Sequence, residues 1–206
     1  MPRPTQAFID LSALAHNLGV VRQYVPCSRI MAVVKADAYG HGLLHTASAL
    51  KDVDGFALLE LDAAISLRDA GYQQPILLLE GFFSTEELAL FEQYRLSAVI
   101  HHSEQIAMLS DSKHHNLDLF LKINTGMNRL GLAPEQFPQI MKALTDHPGI
   151  DSITLMTHFA SADDPLEEDE VFQQLQYFEA ITQNHKYPHS LANSAAIIRY
   201  PVTHAD

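Results

Sequence analysis

Seven times along this chain a short strand-like run, apolar throughout in the first four, gives way to a segment with helical spacing. The runs fall at residues 30–34, 55–58, 75–79, 98–100, 117–123, 150–157 and 189–192. Apolar runs without polar alternation mark strands covered on both faces, and strands separated by helices join as parallel neighbours. Helices are expected at 13–24, 43–50, 60–70, from a Ser84–Glu87 capping box to Tyr94, and at 103–109, 134–145 and 165–183. The acidic stretch at 163–170 reads as the start of that last helix. Pro165 suits a first helical position, the acids complement the dipole, and Phe172, Leu175, Phe178 and Ile181 fall at core spacing. An open doubly wound sheet rarely needs so many units of such even length, whereas a (β/α)8 barrel needs eight. The expected fold is therefore α/β, a TIM-type barrel over residues 11–206 that stops before its eighth strand. Residues 201–206 read as the approach to that strand. A short apolar strand at 7–9 precedes the barrel, within residues 1–10.

Composition narrows the classes. At 206 residues, 47% hydrophobic and 18% charged, the chain is of soluble globular type. A formal net charge of -12 argues against non-specific nucleic-acid binding and against anionic membrane surfaces. The single cysteine, Cys27, excludes an internal disulfide and suits a reducing cytoplasm, the expected location. No apolar run has signal-peptide length or approaches the roughly 20 residues of a membrane span.

In such a barrel the chemistry collects at the C-terminal ends of the strands. The first barrel strand ends in Lys35, followed by Ala36-Asp37-Ala38-Tyr39-Gly40-His41-Gly42. A lysine ending a buried strand is costly to desolvate unless it is used, and one use is Schiff-base chemistry. The fifth strand ends in Lys122-Ile123-Asn124-Thr125-Gly126-Met127-Asn128-Arg129, the sixth in Thr157-His158-Phe159-Ala160, the seventh in Asn193-Ser194-Ala195-Ala196. These supply amines, a phenol, a guanidinium, an imidazole and a hydroxyl at a helix start, where barrels commonly hold phosphate. A lysine facing a phosphate cradle across a barrel mouth describes a pyridoxal phosphate site. Each residue also has a plain reading: His158 a hydrogen-bonded core histidine, Arg129 a surface ion pair, Ser194 a helix cap. Lys122 is harder to dismiss, because a buried unpaired charge is expensive. His101-His102 and His114-His115 are adjacent pairs that diverge on any element, so no metal site is expected.

The stretch from Ala32 to Gly42 resembles the cofactor-lysine signature of the bacterial alanine racemases. Leu77-Leu78-Leu79-Glu80-Gly81-Phe82-Phe83, Asn124 to Gly131, Thr157 to Ala160 and Asn193 to Ala196 fit the same family in the same order. The resemblance implies pyridoxal 5'-phosphate as cofactor, with Lys35 as its Schiff-base lysine and one of two proton-transfer bases. By the same resemblance, Tyr39 contacts the phosphate, and Asn193 and Ser194 sit at the phosphate end. Arg129 contacts the cofactor's phenolic oxygen and the substrate, and His158 lies by the pyridine ring. Lys122 matches a lysine that is carbamylated in many members. The implied activity is conversion of L-alanine to D-alanine, which supplies peptidoglycan, in a homodimer.

Two departures stand out. Asn124 occupies a position where many relatives have aspartate. Family members also continue into an eighth strand, an arginine at the pyridine nitrogen, and a β-rich domain. That domain lends a catalytic tyrosine to the neighbouring subunit and packs with the first strand. A polypeptide of these residues alone is expected to be impaired or inactive. The alternatives are a non-catalytic cofactor-binding barrel and a racemase of broader amino-acid specificity.

Overall fold

In a computed structural model, which describes residues 6–110 and 116–206, the strands form one seven-stranded parallel sheet in sequence order. They are β1 (Met31–Val33), β2 (Gly55–Leu58), β3 (Ile76–Leu78), β4 (Ser97–Ile100), β5 (Leu117–Lys122), β6 (Ile150–Met156) and β7 (His189–Ser190). Sequential order with no strand exchange is the pattern of a barrel wall rather than a doubly wound sheet. His114 and His115 lie outside the described residues.

Strand alternation sorts the side chains into two layers. Ala57, Leu77 and Val99 form an inner cluster with Met31, Leu79, Phe120 and Met156. The alternate residues, such as Phe56, Leu78, Ile100, Leu121 and Leu155, join a larger outer core against the helices. Those helices are α1 (Leu11–Tyr24), α3 (Leu43–Ala49), α4 (Leu61–Asp69), α5 (Leu88–Tyr94), α6 (Ser103–Ser110), α7 (Phe137–Thr145), α8 (Glu168–Thr182) and α9 (Ser194–Arg199).

Some boundaries shift for local reasons. Asp10, not Ser12, caps α1: its carboxylate accepts the N–H groups of Ser12 and Ala13 at 2.9 and 3.2 Å. The expected Ser84–Glu87 capping box is replaced. The Glu87 side chain instead accepts from the N–H of Phe83 at 2.8 Å, and α5 starts only at Leu88. α8 begins at Glu168, after Pro165, because Asp164 turns the chain by accepting the Leu166 N–H at 2.9 Å. Residues 7–9 form no strand: no described strand lies beside them, and Phe8 is left 89% exposed.

The two sheet edges, β1 and β7, face one gap, and the final residues enter it. After a 3-10 turn, Pro201–Thr203, the Ala205 carbonyl accepts from the Ser28 hydroxyl just before β1. The Asp206 carboxylate accepts from the His189 N–H of β7 at 2.9 Å. This is where the sequence places the approach to an eighth strand.

Candidate active site

Lys35 lies one residue beyond β1, after Val34, and opens α2 (Lys35–Gly40), a turn wound the wrong way. Ala36, Asp37, Ala38 and Tyr39 all have φ between 52° and 56°. L-residues visit this left-handed region singly, at about 1–2 kcal/mol each, not in runs. Local bonds hold it. The Gly42 N–H donates to the Asp37 carbonyl at 2.9 Å, and the Asp37 carboxylate accepts the N–H of Leu43 at 2.7 Å, at the start of α3. His41 Nδ1 meets the Ala38 carbonyl at 2.8 Å. The left-handed winding folds the Tyr39 ring back toward Lys35, whose Nζ lies 5.9 Å from the ring centroid. Lys35 is half-buried and Tyr39 is exposed, so both face the open mouth of the sheet.

Lys122 ends β5 on the same inward register as Phe120. The loop after it closes on itself. The Leu132 N–H donates to the Lys122 carbonyl at 2.8 Å, and the Asn124 N–H to the Leu132 carbonyl at 3.0 Å. Asn124 organises the turn between. Its Oδ1 accepts from the N–H of Gly126 and of Asn128 at 3.2 and 3.0 Å, and its Nδ2 donates to Asn128 Oδ1 at 2.9 Å. An aspartate would keep the first two bonds and lose the third. Gly131, with φ of 129°, lies so close to the strand that a Cβ there would sit 2.8 Å from the Asn124 nitrogen. This loop carries Arg129, exposed at the mouth.

His158 follows β6. Burial, reinforced by the charges of Lys122, Arg129 and Lys35, pushes its imidazole down to about 4. The Lys122 amine is lowered by burial and by the charges of Arg129 and Lys35. A further half-buried imidazole, His101 after β4, is lowered by burial and also feels Lys122. Its Nε2 meets the Glu80 carbonyl at 3.1 Å. Three cations and two neutral imidazoles therefore gather in a chain whose formal charge is -12. Like charges so placed need an anion to offset them.

After β7, Asn193 caps α9. Its Oδ1 accepts from the Ala196 N–H at 3.0 Å, and its Nδ2 donates to the Phe159 carbonyl at 3.3 Å. Asn193 thus ties the seventh strand end to the sixth. Ser194 is exposed beside it. All seven residues singled out in the sequence lie at or just beyond strand C-terminal ends. Lys35, Lys122, Arg129 and His158 are the ones shown to feel one another electrostatically. Sequence reasoning passed over Gln174 and quoted Thr125 and Thr157 at strand ends without giving them a role; the three form a buried polar set behind Lys122 and His158. The available signal was Gln174 itself, a polar residue at a core position between Val171 and Phe178.

The sequence profile described as "Alanine racemase, N-terminal domain" matches residues 9–206. The chain belongs to this family. Alanine racemase from Nitrosospira multiformis is 58% identical over the whole chain, and the relative from Nitrosomonas europaea is 59% identical. The chain spans 58% of the length of each of these relatives. Among solved structures, the biosynthetic alanine racemase from Pseudomonas aeruginosa superposes with a TM-score of 0.89 at 40% identity. That match covers 96% of this chain and 56% of the other. Likeness of this degree to the alanine racemase barrel accords with seven parallel strands that curl without closing.

Proposed function

We propose that the protein racemises alanine with pyridoxal 5'-phosphate held on Lys35. The observation that carries this reading is the convergence of Lys35, Lys122, Arg129 and a neutral His158 at one sheet mouth. The donor set fits the cofactor: it offers an amine for the aldehyde, cations for the anionic groups, and an imidazole that stays uncharged beside a ring. When bound, the cofactor delocalises the electrons left behind when an amino acid's α-proton departs.

The chain's own residues do the rest. Lys35 anchors the cofactor through Nζ and moves the α-proton on one face. Tyr39, swung back by the left-handed turn, donates its hydroxyl to the phosphate, and Asn193 and Ser194 supply the other end of that cradle. Arg129 holds the phenolic oxygen and the substrate carboxylate. His158, uncharged above about pH 4, packs against the ring without adding a positive charge. Burial and neighbouring cations favour the neutral Lys122 amine, the form that reacts with carbon dioxide. The resulting carbamate would be an anion able to orient Arg129. Racemisation needs a second base on the opposite face. We assign it to a tyrosine of a partner subunit in a cytoplasmic homodimer, with D-alanine going to peptidoglycan.

The test is borohydride reduction after adding pyridoxal phosphate, followed by peptide mapping and an assay of D-alanine formation. Label on Lys35 is expected. A folded protein without that label overturns the assignment, and label without turnover in the full-length dimer favours a binding barrel.

A further inference from the structure

Two arms meet at the mouth, one leaving β5 with Lys122 and Arg129 and the other leaving β6 with the neutral His158, and a buried amide joins them. Gln174 lies on α8, 4% exposed, with Val171, Leu175 and Phe178 buried along the same helix. A glutamine so placed must spend its donors and its oxygen inside the protein. Its Oε1 accepts from the Ala160 N–H at 3.0 Å. Its Nε2 donates to the His158 carbonyl and to Thr125 Oγ1, each at 3.2 Å.

The direction of this chain of bonds is fixed. Thr157 donates its one hydroxyl proton to the Ile123 carbonyl at 3.0 Å. In the 2.7 Å contact between Thr125 and Thr157, Thr125 must then be the donor. The Thr125 oxygen is left to accept, and Gln174 is the donor that meets it. Gly126, with φ of 147°, lies flat on the glutamine stem: a Cβ there would come within 3.2 Å of Gln174 Cγ.

The same device recurs two strands earlier. Gln105, on α6 and also 4% exposed, accepts from the N–H of His101 and of His102 at 2.9 and 3.2 Å. It donates to the carbonyls of Glu80 and Phe82 at 2.9 and 3.3 Å. In both cases a helix sends a glutamine back to staple the loop of its own strand to the loop of the preceding one.

We infer that Gln174 is a positioning residue: it couples the arm carrying Lys122 and Arg129 to the arm carrying His158, and so sets their spacing around the bound ligand. The ligand's identity rests on the function proposed above, while the coupling belongs to the chain itself.

The test is an NMR titration of the His158 ring in the full chain, without added cofactor. It compares the unaltered protein with Gln174→Met, Thr125→Val and Thr125→Ser. The charged groups facing His158 are Lys122, Arg129 and Lys35. In Gln174→Met and Thr125→Val the arms separate, and the midpoint is expected to rise by about one unit toward the ordinary value. Thr125→Ser keeps the hydroxyl and should leave the midpoint where it was. Folded variants whose His158 titration is unchanged overturn the inference. Should Gln174→Met not fold, Thr125→Val decides, since at nearly constant volume it removes the hydroxyl that accepts from Gln174 and donates to Thr157. Absence of cofactor label on Lys35 in the unaltered protein would defeat the proposed function and leave this result standing.

Discussion

At the scale of single residues, the site is built from groups held in unfavourable states. His158 is the clearest, with a folded value of about 4 against an ordinary 6.5. Above about pH 6.5 the ring is neutral folded and unfolded, and its ionisation costs nothing. As pH falls toward about 4, the unfolded chain takes up the proton and the folded chain does not, so stability declines. The undiscounted loss is about 3 kcal/mol at ~1.4 kcal/mol per unit, and partial exposure reduces it to about 2 kcal/mol. Carboxylates titrate in part of this window, so the readout is a difference: urea unfolding of the unaltered protein and of His158→Gln from pH 4.5 to 7.5. The variant should lose less stability on acidification, and parallel curves would remove the argument. Ala36 holds a second unfavourable state, with φ of 52°. Glycine accepts that conformation without the clash, so Ala36→Gly is expected to raise stability by up to about 1 kcal/mol despite glycine's larger unfolded entropy. The same change should loosen the turn that aims Tyr39 at Lys35 and weaken cofactor retention, measured as pyridoxal phosphate dissociation.

At the scale of elements, the strands and most helices are legible because short apolar-rich runs alternate with helical spacing and many of the turns carry glycine or proline. What was not legible depends on side chains that bond backbone at a distance. Nothing in the spacing of Ser84 and Glu87 shows that Glu87 will accept from Phe83 rather than cap its own helix. Residues 7–9 have strand composition, yet a strand needs a neighbour to pair with. The left-handed turn after Lys35 is invisible to propensity, since alanine, aspartate and tyrosine rarely enter that region; only its closure by Gly40 and Gly42 hints at it. Arg68 on α4 is another such case. Its guanidinium donates to the carbonyls of Tyr94, Tyr72, Gln74 and Arg95 at 2.7–2.8 Å, binding the end of α4 to the approach of β3 and the end of α5. Burial lowers its pKa, with Arg95 adding to the effect. Arg68→Ala removes all four bonds and leaves carbonyls unpaired, so a loss of about 3 kcal/mol is expected in urea unfolding. Arg68→Lys should recover only a small part, because an ammonium cannot reproduce the planar fork.

At the scale of the whole molecule, the charge is distributed against the average. The chain carries -12 formally, yet Lys35, Lys122 and Arg129 gather at one mouth, where Lys35 and Arg129 lower Lys122 and all three lower His158. Such a cluster opposes folding until an anion enters, and the energy returned on anion binding appears as added stability. Phosphate at millimolar concentration is therefore expected to raise the melting temperature above that in chloride of equal ionic strength, without any cofactor. A site with a dissociation constant of 1 mM would give about 1.4 kcal/mol at 10 mM phosphate, which is a few degrees for a domain of this size. Lys122→Met separates the two contributions. In buffer stripped of carbon dioxide, so that Lys122 stays an amine, removing that buried group beside two cations should stabilise the phosphate-free protein, because the penalty for charging it disappears. The same substitution should shrink the phosphate increment, because the field at the mouth weakens. A surface effect of phosphate on the protein in general would survive Lys122→Met undiminished, and that result would show that the cluster does not act as an anion trap.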